Sequence, residues 1–193
     1  VYLFTPAGAY LGQYLITDAA GTATFNLPQE SYKARVGYLS RQFWSPVFTA
    51  SDTPVVINEG MADVRVTQGQ TPIESVRVYV FNTSGAYLGR YGTTDSIGGV
   101  QFRLPAGEYQ FRADYQGGQY WTSQSILSDQ TNSFDLSTGG GQFVLTVEKS
   151  PGDPMPGVKV YTFSSAGSYL GMSGQTDGQG HVSFALSDGA YMF

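Results

Sequence analysis

The chain has 193 residues, a net charge of −5 and no cysteine. Its 10 basic residues give no electropositive footprint for nucleic acid or an anionic lipid surface, and the absence of thiols excludes disulfides and Cys-based metal or nucleophile chemistry. Aromatic residues reach 15% while charged residues stop at 13%, about half the usual quarter. That balance leans toward an exported protein, and no apolar run is long enough to cross a bilayer.

Residues 1–59 read as short strands and tight turns. Val1–Phe4 alternates, Pro6-Ala7-Gly8 turns, and Tyr10–Ile16 continues as a strand interrupted by glycine. Asp18-Ala19-Ala20-Gly21 is the next turn, in which Asp can accept from amides ahead of it and Gly supplies positive φ. Ala23, Phe25 and Leu27 then share one face of a predicted strand, and Val1, Leu3, Phe25, Leu27 and Tyr32 are the expected core of this copy. Tyr32–Tyr38 and Gln42–Thr49 follow, with Pro46 placing the latter toward an edge, and Val55–Ile57 is short and apolar.

In residues 60–140, Ala62–Thr67 reads as a leading strand and Val76–Phe81 as the strand that matches the chain's opening. Val100, Phe102 and Leu104 form a period-2 face, expected in the core with Val78, Val80, Tyr109 and Phe111. Ala106-Gly107 turns into Tyr109–Tyr115, and Gly117-Gly118 is a hairpin signal into Tyr120–Ile126. Asn132–Leu136 precedes the glycines at 139–141, a short joint. Residues 141–193 begin again with Phe143–Val147 and a longer turn around Gly152, Pro154 and Pro156. Helical periodicity is absent, so the fold class is all-β.

The three segments repeat one another. Val1, Val78 and Val160 are spaced by 77 (78 minus 1) and 82 (160 minus 78), and Asp18, Asp95 and Asp177 keep the same spacings. Over residues 1–44 and 78–121, 20 of 44 positions are identical without a gap. The organisation is therefore a tandem array: 1–59 without its first strand, 60–140 complete, and 141–193 cut on its C-terminal side. The missing strand positions are expected to be filled by protein, either by continuation of the polypeptide or by strands from another subunit.

Strands of four to eight residues with turns every 8–12 make each unit a small sandwich. The order of signals is a strand, then "S-V-R-V-Y-V" or "G-V-K-V-Y-T", then "T-D-x-x-G", then "L-P-x-G-x-Y". This order resembles the carboxypeptidase regulatory-like, transthyretin-like and collagen-adhesin B-type modules. The matching residues are Thr94-Asp95, Gly98 or Gly99, Phe102, Leu104-Pro105, Gly107 and Tyr109, and again Thr176-Asp177, Gly180, Phe184, Leu186, Gly189 and Tyr191. The resemblance implies immunoglobulin-like sandwiches of seven strands, in a fold that hosts stalks, adhesins and carbohydrate-binding modules. The adhesin branch also implies a Lys–Asn or Lys–Asp crosslink promoted by an acid. Here Asp63–Thr67 holds no Lys, and Arg112-Ala113 and Arg35-Val36 stand where the acid would be.

Candidate sites are few. His181 has no counterpart in the other copies, and each "T-D-x-x-G" turn supplies one carboxylate where a hard cation wants six to eight oxygens, so turn capping is the reading. No catalytic set recurs, and neither enzyme activity nor a cofactor is expected. Asn82-Thr83-Ser84 fits a glycosylation acceptor in a turn. Trp44, Trp121 and Tyr120 could stack on sugars, or pack over a sandwich edge. Val76, Val78 and Val80 share one strand face, which leaves Tyr79 and Phe81 on the other, as are Tyr2 and Phe4, and Tyr161 and Phe163. A repeated aromatic stripe pointing away from the core predicts burial against another unit or chain. The expectation is a structural, extracellular or cell-surface protein, a stalk, fibre or filament whose partners are copies of itself. The alternative is an adhesive module that binds glycans.

Overall fold

The computed structural model describes residues 1–193, and its regular elements are all β-strands. Two compact units form, Val1–Glu59 and Gly60–Phe193.

In the first unit, β1 (Tyr2–Phe4), β2 (Tyr10–Tyr14), β3 (Ser31–Tyr38) and β4 (Arg41–Trp44) make a sheet in the order β2-β1-β3-β4, with β5 (Phe48–Thr49) also on β3. The predicted strand Gln42–Thr49 is broken in two. Ser45 exchanges bonds with Ala34, its Oγ accepting from Ala34 N at 2.9 Å, and Pro46 then offers no N–H to continue the ladder. The turn between β3 and β4 is Leu39-Ser40, with φ of 46° and 60°. Two left-handed residues suit the twist of a two-residue hairpin, although neither residue is glycine.

Two predicted strands of this unit do not form. Ala23–Leu27 and Val55–Ile57 are extended but lie in no ladder. Their side chains still alternate between half-buried and exposed, with Phe25, Leu27, Val55 and Ile57 half-buried rather than buried as expected of the first two. Val1 is also only half-buried, while Leu3 and Tyr32 are buried as expected. The second unit supplies the reason.

There, β6 (Glu59–Gln68), β7 (Thr71–Pro72), β8 (Arg77–Phe81), β9 (Tyr87–Thr93), β10 (Gly99–Pro105), β11 (Gly107–Tyr115), β12 (Gly118–Ile126) and β13 (Thr131–Ser137) form two facing sheets. One has the order β10-β6-β13 with β7 on β6, and the other β12-β11-β8-β9. Setting the short β7 aside, this is a sandwich of seven strands. β6 is the middle strand of the first sheet and runs parallel to β13, with Val64 opposite Phe134 and Val66 opposite Leu136. A spacing of 77 carries β10 onto residues 22–28 and β13 onto 54–60. Of these, residues 22–28 and 54–58 form no strand, whereas 59 and 60 already open β6, and no strand lies between the two runs. A ladder needs a partner for every N–H and C=O, and its central partner is missing.

The core of 60–140 is closed by Ala62, Val64 and Val66 from β6, Phe102 and Leu104 from β10, Val78 and Val80 from β8, and Tyr109 and Phe111 from β11, all buried. Phe111 packs on Phe134 at 4.9 Å and on Phe102 at 6.1 Å between ring centroids. Val100, expected in the core, is half-buried near the strand's start. The Tyr109 hydroxyl donates to the Pro105 carbonyl at 2.8 Å, a tyrosine corner. Tyr32 repeats it on Pro28 at 3.2 Å and Tyr191 on Ser187 at 2.9 Å. The "L-P-x-G-x-Y" signal is thus a strand-entry lock. The hairpin loop after β11 is Gln116-Gly117, with φ of 48° and 77°, one residue before the predicted glycine pair.

Residues 141–193 add β14 (Gly141–Thr146), β15 (Glu148–Ser150), β16 (Asp153–Pro154), β17 (Lys159–Ser164), β18 (Tyr169–Gln175), β19 (His181–Leu186) and β20 (Tyr191–Met192). β14 pairs antiparallel with β19, and β17 lies between β18 and β20. Val160, Val182, Phe184 and Leu186 form the core.

The "T-D-x-x-G" turns are capped. Asp95 Oδ1 accepts from Ile97 N at 3.0 Å and Gly99 N at 2.8 Å, and Asp18 and Asp177 accept from the amides two and four residues on. The bond from the His181 amide holds the exposed Asp177 carboxyl below its ordinary value, against some loss of hydration and with help from the Gln179 amide. Thr94 Oγ1 accepts from Val76 N at 2.9 Å and donates to Ile73 O at 2.7 Å, which ties the two sheets' connections together. Thr176 repeats both bonds on Val158 and Met155.

Phe102→Ala is expected to cost about 3–5 kcal/mol, a large share of a small domain's stability. Urea unfolding followed through the Trp121 fluorescence checks it, with the Trp44 transition as the internal control.

Candidate functional site

In the first two copies, the outer face of the sheet built around β1 and β3 or around β8 and β11 carries an aromatic row. In the second copy the register puts Trp121, Arg112, Tyr79 and Tyr91 abreast on β12, β11, β8 and β9. In the first, Trp44, Arg35, Tyr2 and Tyr14 stand abreast on β4, β3, β1 and β2. Phe81 with Tyr87, and Phe4 with Tyr10, extend the rows along the strands. Tyr2, Phe4, Tyr10, Tyr14, Arg35 and Trp44 all recur at a spacing of 77 as Tyr79, Phe81, Tyr87, Tyr91, Arg112 and Trp121. The core is less strict, with Leu3 for Val80 and Ala34 for Phe111.

The arginines hold the rows together. The Arg112 guanidinium lies 4.8 Å from the Tyr79 ring, 5.2 Å from Phe81 and 5.5 Å from Trp121. Arg35 lies 4.8 Å from Tyr2, 5.0 Å from Phe4 and 5.8 Å from Trp44. Each such contact is worth about 0.5–2 kcal/mol according to its exposure. The two centres differ in one respect. Arg112 Nε sits 2.7 Å from Asp114 Oδ1, and its Nη2 donates to Oδ2 at 3.0 Å. Gly37 stands where Asp114 would be, so Arg35 has no carboxylate at that place, while the buried Nε of both arginines makes no well-aligned hydrogen bond.

The predicted contact residues divide. Phe4 and Phe81 are each only 7% exposed, and the cover comes from their own sheets: Trp44 at 4.8 Å from Phe4, and Trp121 at 4.8 Å from Phe81. Tyr2 and Tyr79 are half-buried among ring neighbours. Tyr161 is 40% exposed under Lys159 Nζ, and Phe163 is half-buried against Tyr169. Trp44 and Trp121 remain 46% and 48% exposed. Beside Trp121 a shallow depression of about 330 Å³ is bounded by Gln110, Thr122 and Ser123.

Tyr120 does not join Trp121, because neighbours on a strand point to opposite faces. Its hydroxyl donates to Asp188 O at 2.8 Å, in a joint between the second and third copies. Gln116 is the centre of that joint. Its Oε1 accepts from Ser187 N at 2.9 Å, its Nε2 donates to Ala185 O at 3.0 Å, and Tyr191 Oη approaches Oε1 at 3.4 Å. Ser187 Oγ donates to Thr138 Oγ1 at 2.8 Å, Asp188 N bonds Thr138 O, and Asp188 Oδ1 accepts from Gly140 N. Burial, then the neighbouring Tyr120, pushes the Tyr191 phenol above its ordinary value. The residues Gln116, Ser187 and Asp188 were not singled out from the sequence. Their counterparts Leu39, Pro105 and Ala106 differ, so no repeat signal marks them.

Asn82 Oδ1 accepts from Ser84 N, Ser84 Oγ and Ala86 N, capping its turn. His181 is exposed at the start of β19, and its backbone N–H serves the Asp177 cap.

No family model matches the chain, and no curated protein matches it. Among solved structures it is similar to the Bacillus anthracis TIE protein, at 20% identity and a TM-score of 0.35 over 91% of this chain and 38% of that one. It is similar as well to GBS52, the minor pilin of Streptococcus agalactiae, at 18% identity and a TM-score of 0.36 over 63% and 65% of the two chains. BcpA, the major pilin subunit of Bacillus cereus, gives 14% identity and a TM-score of 0.36 over 58% of this chain and 39% of that one. The chain therefore spans about 38% of the length of the first and 65% of the second.

Gly37 is exposed, and a Cβ there meets nothing within 4 Å. Gly37→Asp should supply the missing carboxylate to Arg35 and raise the stability of the first unit by about 1 kcal/mol, from the ion pair and the lost glycine freedom together. The urea midpoint read at Trp44 should rise, more than for Gly37→Asn, while the Trp121 transition stays put.

Proposed function

We propose that the chain is a structural segment of an extracellular, surface-exposed protein, a run of β-sandwich repeats at 1–59, 60–140 and 141–193 that builds a stalk or fibre. The observation that carries this reading is the joint around Gln116. A connection of only a few residues, the glycines at 139–141, is overlaid by hydrogen bonds from both copies, several of them at 2.8–3.0 Å. Such a joint converts two small domains into one stiff body, and stiffness transmitted from unit to unit is what a stalk requires. No catalytic group is needed for that task. The repeated aromatic rows offer lateral faces through which copies of the chain would pack.

Immunogold electron microscopy of the native material, with antibody against residues 60–140, tests the reading. Label should follow fibres or stalks at the cell surface, whereas label confined to dispersed soluble particles would overturn it.

A second reading has its own support. The half-exposed Trp44 and Trp121, each with an arginine over its ring in a packed row, suit stacking against the apolar faces of sugar rings. Glycan-array binding that disappears in the Trp44→Ala, Trp121→Ala double variant would favour that role over lateral packing.

A further inference from the structure

We propose that the chain pairs with another molecule of itself through the free edge of β12, strand against antiparallel strand, across a twofold axis at Thr122. β12 bounds the sheet β12-β11-β8-β9 and has no ladder partner besides β11. Its two-residue loop makes Tyr115 and Gly118 a hydrogen-bonded pair. Alternation along an antiparallel ladder then turns the N–H and C=O groups of Gln119, Trp121, Ser123 and Ser125 away from β11, and none of these groups bonds a loop or another repeat. Edges of this kind are usually guarded by charges, prolines or bulges, and the other edges of the complete sandwich are. β9 is bulged against β8 between Val80 and Phe81, has Gly89 at a φ of 69° and carries Arg90. β10 carries Arg103 and ends on Pro105, and β13 carries Asp135. The nine residues of β12 hold no charge, no proline and no bulge. The matching edge of the first copy is guarded: Arg41 stands for Gly118, Pro46 stands for Ser123, and β4 stops at Trp44. The open edge therefore belongs to residues 118–126 and not to the repeat in general.

The edge specifies its occupant. Only one self-pairing register engages every outward residue of both molecules: Gln119 opposite the partner's Ser125, and Trp121 opposite the partner's Ser123. It gives about eight backbone hydrogen bonds. The same register accounts for the depression of about 330 Å³ beside Trp121. Gln110, Thr122 and Ser123 bound it, and Gln110 stands abreast of Ser123 on β11, so it lies where a residue opposite Ser123 would project. That residue is the partner's Trp121. Each half-exposed indole then fills the depression of the other molecule, and the two lie diagonally across the axis within reach of each other. No charge on either strand meets its like, and the contact is self-complementary, as a twofold interface must be. The rows of Tyr91, Tyr79, Arg112 and Trp121 become one row across both molecules.

Sedimentation equilibrium of the full chain, up to about 1 mM, tests the pairing. A monomer–dimer equilibrium is expected, and in a Trp44→Phe background acrylamide quenching of Trp121 should fall as the dimer forms. Ser123→Lys sets a lysine where the partner's indole would sit, at an exposed position that leaves the fold intact, and should weaken association by about 10-fold or more. Ser123→Pro, which copies the first copy's Pro46 and removes an outward N–H, should do the same. Gln101→Lys, the same charge change on the β10 edge, should leave association as it was. A chain that stays monomeric throughout, or association that survives Ser123→Lys, would overturn the proposal. Association that survives it but is lost with Tyr91→Ser would move the contact from the edge to the aromatic face. The pairing goes beyond lateral packing of those faces and needs no fibre. Label on dispersed particles leaves a dimer standing, and a monomer leaves the fibre reading standing.

Discussion

Everything in the second sandwich depends on β6 lying between β10 and β13. A strand in the middle of a sheet satisfies backbone groups on two neighbours at once, and its inward side chains sit where the facing sheet needs them. With β6 in place, Ala62, Val64 and Val66 are fully buried beneath Val78, Val80 and Phe111. Where nothing fills that position, residues with the same pattern stay extended but unpaired, and Phe25 and Leu27 are only half-buried. The third segment shows the intermediate case, in which β14 pairs with β19 alone. Identical turn chemistry and similar side chains thus give three degrees of closure, set by which ladder partners are present.

The outer faces obey a different constraint. Core positions exchange Leu3 for Val80 and Ala34 for Phe111, yet six outward residues recur unchanged between the first and second copies. An arginine surrounded by three rings needs each ring at its place, because the attraction falls away once a ring leaves the guanidinium. This interlocking keeps two tryptophans about half-exposed on a rigid sheet instead of collapsing them onto it. Rigid, half-exposed aromatic surface is suited to packing against something else.

Much of this was legible in the sequence. The period-2 faces placed Val78 and Val80 inward and Tyr79 outward, and the "T-D-x-x-G" and "L-P-x-G-x-Y" signals became a capped turn and a tyrosine corner. Alternation could not disclose whether a strand would find its neighbours. Ala23–Leu27 has the pattern of Val100–Leu104 and still forms no strand, since pairing is a property of the sheet and not of the segment. Nor could it disclose that Trp121, Tyr87 and Arg112 would cover Phe81 from within its own sheet, which needs the cross-strand register. The joint was hidden for a further reason. Gln116 acts through a left-handed hairpin turn on carbonyls and amides about 70 residues away, and no repeat of the pattern draws attention to it.

The central claim is that the leading strand decides whether a copy closes its second sheet. Native-state hydrogen exchange of the unaltered chain tests it most directly. The account predicts that amides of β6, β10 and β13 exchange slowest, and that residues 23–27 and 55–58 exchange at nearly the rate of open chain despite matching β10 and β13 in sequence pattern. Protection of residues 23–27 equal to that of β10 would contradict it.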